Sequence, residues 1–193
     1  MLRCRGRQPD PMTATVKTTR RWTYADYCRI PYDGKRHEII DGSHFVNPAP
    51  SPYHQTVVTR LLYELMRLVE KQGLGRVLTS PLDVHLGPST VVQPDIVVLR
   101  PRTESIIGSK KLTGTPDLIV EVMSPSNRNY DRTTKRDRYE RSGVREYWLV
   151  DPEERTIEQL VLRAGRYRQP IVCETEVTLR ILRNIHIDLR EVW

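Results

Sequence analysis

The sequence predicts a single α/β domain, and three local signals carry that expectation. The first is an Asp41-Gly42 turn between two strand-like runs, the strongest short-range signature of a β-hairpin. The second is a long amphipathic helix opened by Ser51-Pro52. The third is the stretch from Asp117 to Val150, where an apolar strand, a helical segment and a second strand follow one another. That connection length suits a right-handed crossover between parallel strands. A chain of 193 residues suits one sizeable core. Hydrophobic residues at 38% and charged residues at 28% exclude a disordered chain. No apolar run approaches the ~20 residues of a membrane span.

Taken in order, residues 1–21 read as a flexible basic tail and residues 22–193 as the folded domain. Met12 stands as an alternative start, because few residues before it have large apolar side chains. A short helix is expected over Trp22–Arg29 with Thr23 as its N-cap, then a turn over Ile30–Gly34. The hairpin follows over His37–Val46. Ser51 caps the long helix and Pro52 takes its first position. Val58, Leu61, Leu62, Leu65, Met66 and Val69 give this helix an apolar stripe, and Gly73 marks its end. Strands are expected at Gly75–Ser80, Leu82–Leu86, Val91–Leu99 and Asp117–Met123, with a polar loop over 101–115. A Ser124-Pro125-Ser126 turn leads to a helix over 131–142 and a strand over Glu146–Val150. Two more strands, Thr156–Leu162 and Tyr167–Val172, precede a short closing helix over Ile187–Val192.

The net charge of +7 invites a nucleic-acid partner. Much of it lies in the tail, where residues 1–21 hold six Lys and Arg against one Asp. The other concentration is residues 127–145, with seven basic residues against three acidic ones. Arg132, Lys135 and Arg136 of this segment, with Arg100, Arg102, Lys110 and Lys111, are candidate phosphate contacts. A solvated helix of mixed charge accounts equally well for the segment. Cys4, Cys28 and Cys173 have neither disulfide-framework nor zinc-ligand spacing. Without a secretory h-region near the N-terminus, a cytoplasmic location is expected.

Two carboxylates intrude where apolar residues belong. Glu121 stands within Leu118-Ile119-Val120-Glu121-Val122, a run that reads as an interior strand. An isolated buried carboxylate costs several kcal/mol or shifts its pKa until neutral, unless a cation or donors compensate it. An arginine partner is the structural alternative. Asp95 leads into Ile96-Val97-Val98-Leu99 and is otherwise a turn aspartate after Pro94. Side by side on neighbouring strands, the two would form a hard-oxygen site suited to Mg²⁺, with positions left for water and phosphate. Asp131, Lys135 and Tyr139 recur every four residues and share a helix face. Asp131 equally reads as the helix N-cap, and Lys135 as a surface lysine paired with it.

These residues also carry a resemblance. Gln93-Pro94-Asp95, Val120-Glu121-Val122-Met123-Ser124-Pro125-Ser126, Asp131, Lys135 and Glu146-Tyr147-Trp148-Leu149-Val150-Asp151 are similar, in order and spacing, to the bacterial Uma-type restriction-endonuclease family of the PD-(D/E)xK nuclease superfamily. Glu38-Ile39-Ile40-Asp41-Gly42 and Pro48-Ala49-Pro50-Ser51-Pro52-Tyr53-His54 match it too. The resemblance implies a restriction-endonuclease-like mixed sheet flanked by helices, with an N-terminal hairpin. It implies cleavage of a phosphodiester, in DNA, with Mg²⁺ or Mn²⁺ as cofactor. Asp95 and Glu121 then hold the metal, with Glu38 as an upstream acidic ligand. Met123 stands where the motif places its lysine, so that role passes to Lys135. His54, which shares a face with Val58, Leu61 and Leu65, reads first as a packed histidine and second as a neighbour of the active site. A homodimer is expected, since one nuclease domain nicks one strand. The competing expectation is a weak or inactive nuclease-fold module that binds nucleic acid or assembles with a partner.

Overall fold

The computed structural model describes residues 20–125 and 127–193. The expected tail over 1–21, apart from Arg20 and Arg21, lies outside these residues, as does Ser126 of the expected turn.

Thr23 caps α1 (Tyr24–Tyr27) with Asp26 returning the bond to its backbone. The hairpin of β1 (Arg36–Ile40) and β2 (Ser43–Asn47) pairs Glu38 with Phe45. Asp41 and Gly42 both have positive φ at its turn, 51° and 82°, as a tight hairpin connection demands. The long helix α2 begins at Pro52, with Ser51 Oγ accepting from the His54 N–H. It runs as α-helix to Leu65 and as a π-helical turn over Met66–Glu70. Val58, Leu61, Leu65 and Val69 of the expected stripe are buried and Leu62 is partly so, whereas Met66 is exposed and Val57 is buried as well.

The region expected as several strands resolves into β3 (Arg76–Thr79), β4 (Val84–Gly87), β5 (Thr90–Val92) and β6 (Ile96–Leu99). The single strand expected over Val91–Leu99 is therefore two. Gln93-Pro94-Asp95 carries the chain from one sheet to another, and Pro94 has no N–H to continue a ladder. The loop over 101–115 contains a 3₁₀ turn, Pro101–Ile106, and the short β7 (Leu112–Thr113). After β8 (Leu118–Val122), the helix expected over 131–142 starts earlier. Arg128–Tyr130, a π-helical turn Asp131–Lys135 and Arg136–Ser142 form one continuous helix, α3. Asp131 thus lies inside the helix and is not its N-cap, a position held by Asn127.

The next strands are β9 (Glu146–Asp151), β10 (Thr156–Arg163), β11 (Arg166–Tyr167) and β12 (Ile171–Cys173). The strand expected over Tyr167–Val172 is thus divided between β11 and β12. The last elements are β13 (Glu176–Thr178), β14 (His186–Asp188) and a 3₁₀ turn Leu189–Glu191. The helix expected over Ile187–Val192 is therefore part strand and part 3₁₀ turn.

The principal sheet has the order β11-β10-β9-β8-β6-β3, with β12 added to β10. β8 and β9 run parallel across the α3 crossover, and the other pairings of this sheet are antiparallel. A five-stranded sheet, β2-β1-β5-β4-β7, carries the hairpin, and β13 pairs with β14. Alternation along β8 divides the core. Leu118, Val120 and Val122 pack under α2 and the C-terminal segments. Ile119 and Met123 pack with Tyr139, Tyr147 and the five-stranded sheet. Glu121 belongs by alternation to this second face, so a carboxylate is directed between the sheet and α3. Among the described residues no helix is long and apolar enough to cross a membrane.

Candidate active site

β6 is antiparallel to β8, so the start of one and the end of the other share an edge. The register pairs Ile96 with Val120, and one further step sets Asp95 opposite Glu121. The chain passes between sheets at this point. Asp95 is freed from a ladder and aimed across it, its Oδ2 accepting from the Val122 N–H at 2.8 Å. Its Oδ1 takes a hydrogen bond from Arg36 Nη1 at 2.9 Å, and His54 Nε2 lies 3.4 Å from Oδ2. Burial alone would raise the Asp95 pKa, but His54, Arg36 and the Val122 amide hold it at about 2.

Glu121 is reached from α3. Lys135 Nζ lies 2.9 Å from Glu121 Oε1, and the Tyr139 hydroxyl donates to the same oxygen at 2.7 Å. Both of these contacts fall on Oε1 and neither on Oε2. Burial pushes the Glu121 carboxyl up to about 8, with the charge of Asp95 adding to the rise against the pull of Lys135. Lys135 Nζ also stands 3.2 Å from Glu38 Oε2 and 3.6 Å from Asp131 Oδ1. The three carboxylates together outweigh burial and hold the ammonium pKa above its usual range. Lys135 is 1% exposed, so it is not a surface lysine. The spacing of Asp131, Lys135 and Tyr139 does place all three on the buried face of α3.

Glu38 comes from the hairpin and is fully buried. Its Oε1 accepts from the Gln93 N–H and its Oε2 from Asn47 Nδ2, each at 2.8 Å. The Lys135 and Arg36 charges and these donors lower its pKa despite the burial that opposes them. Burial raises Asp131 to about 6. The structure therefore brings Glu38, Asp95, Glu121 and Lys135 into one enclosed cluster, with Arg36, His54, Asp131 and Tyr139 against them. Arg36 and Tyr139 had no role assigned from sequence. Arg36 alternates with Glu38 along β1, a signal readable only once the strand's inward face is known.

The expected phosphate contacts are not gathered in the same way. Arg132 is hydrogen-bonded to Glu158, Arg100 to Asp117, and Lys111 stands over the Tyr24 ring. Arg136 and Arg102 remain on the surface.

Four carboxylates, Glu38, Asp95, Glu121 and Asp131, face two permanent cations, Arg36 and Lys135. With all four ionised the carboxylates exceed the cations by two charges, and a bound divalent cation would offset that surplus and favour the ionised form of Glu121. Among the described residues no three His, Cys, Asp or Glu side chains are arranged to hold a metal together. Mg²⁺ commonly uses one or two carboxylates and keeps several waters, so Asp95 with Glu121 is a sufficient protein contribution.

The fold is of the restriction-endonuclease-like kind, a mixed sheet flanked by helices. The chain belongs to the Uma2 family, described as "Putative restriction endonuclease", which it matches over residues 24–190. A crystal structure from Anabaena variabilis ATCC 29413, described as "a putative nuclease belonging to DUF820", has the same fold, with a TM-score of 0.75. The two are 18% identical, and the alignment covers 89% of this chain and 97% of that one. No curated protein matches this chain.

Proposed function

We propose that the protein is a metal-dependent endonuclease that hydrolyses phosphodiester bonds in DNA, with Asp95 and Glu121 as its metal ligands. The observation that carries this reading is the buried carboxylate surplus at the shared edge of β6 and β8, clasped by a lysine. The chemistry supplied when Mg²⁺ or Mn²⁺ is bound is Lewis-acid polarisation of the phosphate and acidification of water. Asp95 is kept ionised by Arg36, His54 and the Val122 amide, and so is ready to ligate at any ordinary pH. Glu121 offers the oxygen that Lys135 and Tyr139 leave unbonded. Lys135 orients the attacking water and offsets the charge that grows on the phosphate oxygens in the transition state. Glu38 shares the charge of Lys135 and would supply a further carboxylate to the metal were the lysine to move aside. In the reaction a bond forms from water oxygen to phosphorus and the bond from phosphorus to the leaving oxygen breaks. The proton released by water is balanced by protonation of the leaving oxygen.

Arg102 and Arg136 are the surface cations we assign to backbone phosphates, and a two-fold dimer would cut both strands. The deep burial of Lys135 favours a second reading, a module that binds nucleic acid and cuts weakly.

The test is cleavage of supercoiled plasmid, single-stranded DNA and RNA with Mg²⁺, Mn²⁺ or EDTA, alongside Asp95→Asn and Lys135→Met. Cleavage by wild type that falls by about 10²-fold or more in each variant is expected. Unchanged rates in the variants would refute the assignment. Metal binding by calorimetry without cleavage of any substrate would select the second reading.

A further inference from the structure

The acidic cluster is bordered by a polar group that its ion pairs do not use. Tyr130 opens α3 immediately before Asp131, and its ring packs on Phe45 with centroids 4.5 Å apart. Phe45 is the cross-strand partner of Glu38, so the ring stands over the hairpin position that delivers Glu38 to the site. Lys135 Nζ lies 5.5 Å from the centroid of the same ring. The side chain thus lies against both Phe45 and Lys135. Its hydroxyl is buried and has no hydrogen-bond partner among the described residues. Burial, reinforced by the charges of Glu38, Asp131 and Glu121, keeps this phenol protonated well beyond neutral pH. It is therefore a donor at every working pH.

Burying a hydroxyl without a partner costs free energy, and most such groups in proteins are satisfied. A phenylalanine would fill the same place against Phe45 without that cost. The arrangement makes sense if the partner arrives with substrate. We propose that Tyr130 is a further catalytic residue, whose hydroxyl donates a hydrogen bond to a non-bridging oxygen of the scissile phosphodiester beside Lys135. A fixed donor aimed at an oxygen that gains charge stabilises the transition state more than the ground state. Tyr130 and Lys135 then act from two directions, one as a neutral donor and one as a charge. The proposal rests on the nuclease reading above.

Tyr130→Phe removes the oxygen and keeps the ring. With plasmid DNA and Mg²⁺ or Mn²⁺, kcat should fall by about 10²-fold while KM stays within twofold of wild type. The metal-free variant should melt at the wild-type temperature or higher, because no native hydrogen bond is lost. A kcat within twofold of wild type would overturn the role of Tyr130 and leave the nuclease reading standing. So would a loss of kcat accompanied by a melting temperature several degrees lower, which would mark a structural hydroxyl. A wild type that cleaves no substrate with any metal would instead overturn the nuclease reading, and this proposal with it.

Discussion

Lys135 Nζ and Glu121 Oε1 lie 2.9 Å apart with both side chains at most 2% exposed. One comes from the middle of α3 and the other from an interior strand, so the pair ties the crossover helix to the sheet at the carboxylate cluster. The same ammonium also serves Glu38 and Asp131, so three carboxylates share it.

Replacement of Lys135 by Met should therefore be costly even though the stem is kept. Removing one member of a buried charge cluster leaves the others uncompensated, a loss of about 3–5 kcal/mol. Urea unfolding at pH 7 should show that loss. The deficit should shrink at pH 5, where Asp131, held at about 6, is protonated as well as Glu121. An equal deficit at both pH values would contradict the charge origin.

The raised pKa of Glu121 has a definite sign in stability. The folded carboxyl holds its proton up to about 8, whereas the ordinary value is 4.5. Between these values the folded state binds more protons than the unfolded chain, so metal-free protein loses stability as pH rises through that window. Melting temperatures in EDTA should fall from pH 5 to pH 8, and Glu121→Gln should flatten the slope. Mg²⁺ should flatten it too, by favouring the ionised carboxylate. A slope unaltered in the Gln variant would show that another group titrates.

Glu146 is a buried carboxylate of a different kind. Its Oε1 accepts from Trp148 Nε1 and Gln159 Nε2, and its Oε2 from the N–H groups of Arg180 and Ile181. It anchors the C-terminal segment. Glu146→Gln would turn an amide NH₂ toward one pair of donors and leave them unsatisfied, which should cost about 1–3 kcal/mol. Nuclease activity below the melting transition should persist, and a variant as stable as wild type would refute this role.

Gly75 lies where β3 approaches the end of β6. A Cβ there would stand 2.2 Å from the Leu99 carbonyl oxygen, a backbone atom that cannot step aside. Gly75→Ala should destabilise the fold by about 1–3 kcal/mol, measurable by thermal unfolding. An unchanged melting temperature would show that the strand shifts freely.

Much of the architecture is legible in local pattern. The Asp41-Gly42 hairpin, the Ser51-Pro52 helix start and the parallel crossover depend on turn conformation, capping and connection length, which neighbouring residues impose. Glu121 was likewise conspicuous, because a carboxylate inside an apolar strand needs a compensating group wherever it folds. Spacing puts Lys135 on one helix face with Asp131 and Tyr139, and the family resemblance, with Met123 where the motif places its lysine, singles it out. The break at Gln93-Pro94-Asp95 was not legible as a change of sheet. Continuous apolar residues on either side of it look alike in sequence, whichever sheet they join.

What faces what across elements lay beyond local pattern. His54 was readable as a neighbour of the site only through the family resemblance; Arg36 and Tyr130 come from a hairpin and a crossover, and nothing in their own neighbourhoods distinguishes them from surface or packing residues. Long-range packing sets them around Asp95, Glu38 and Lys135, and the energy of that placement resides in charges and donors that meet only on folding. Local pattern identifies Glu121 as a buried charge that must be answered. Its answer, a lysine and a tyrosine from α3 within a surplus of carboxylates, exists only where sheet, hairpin and helix converge.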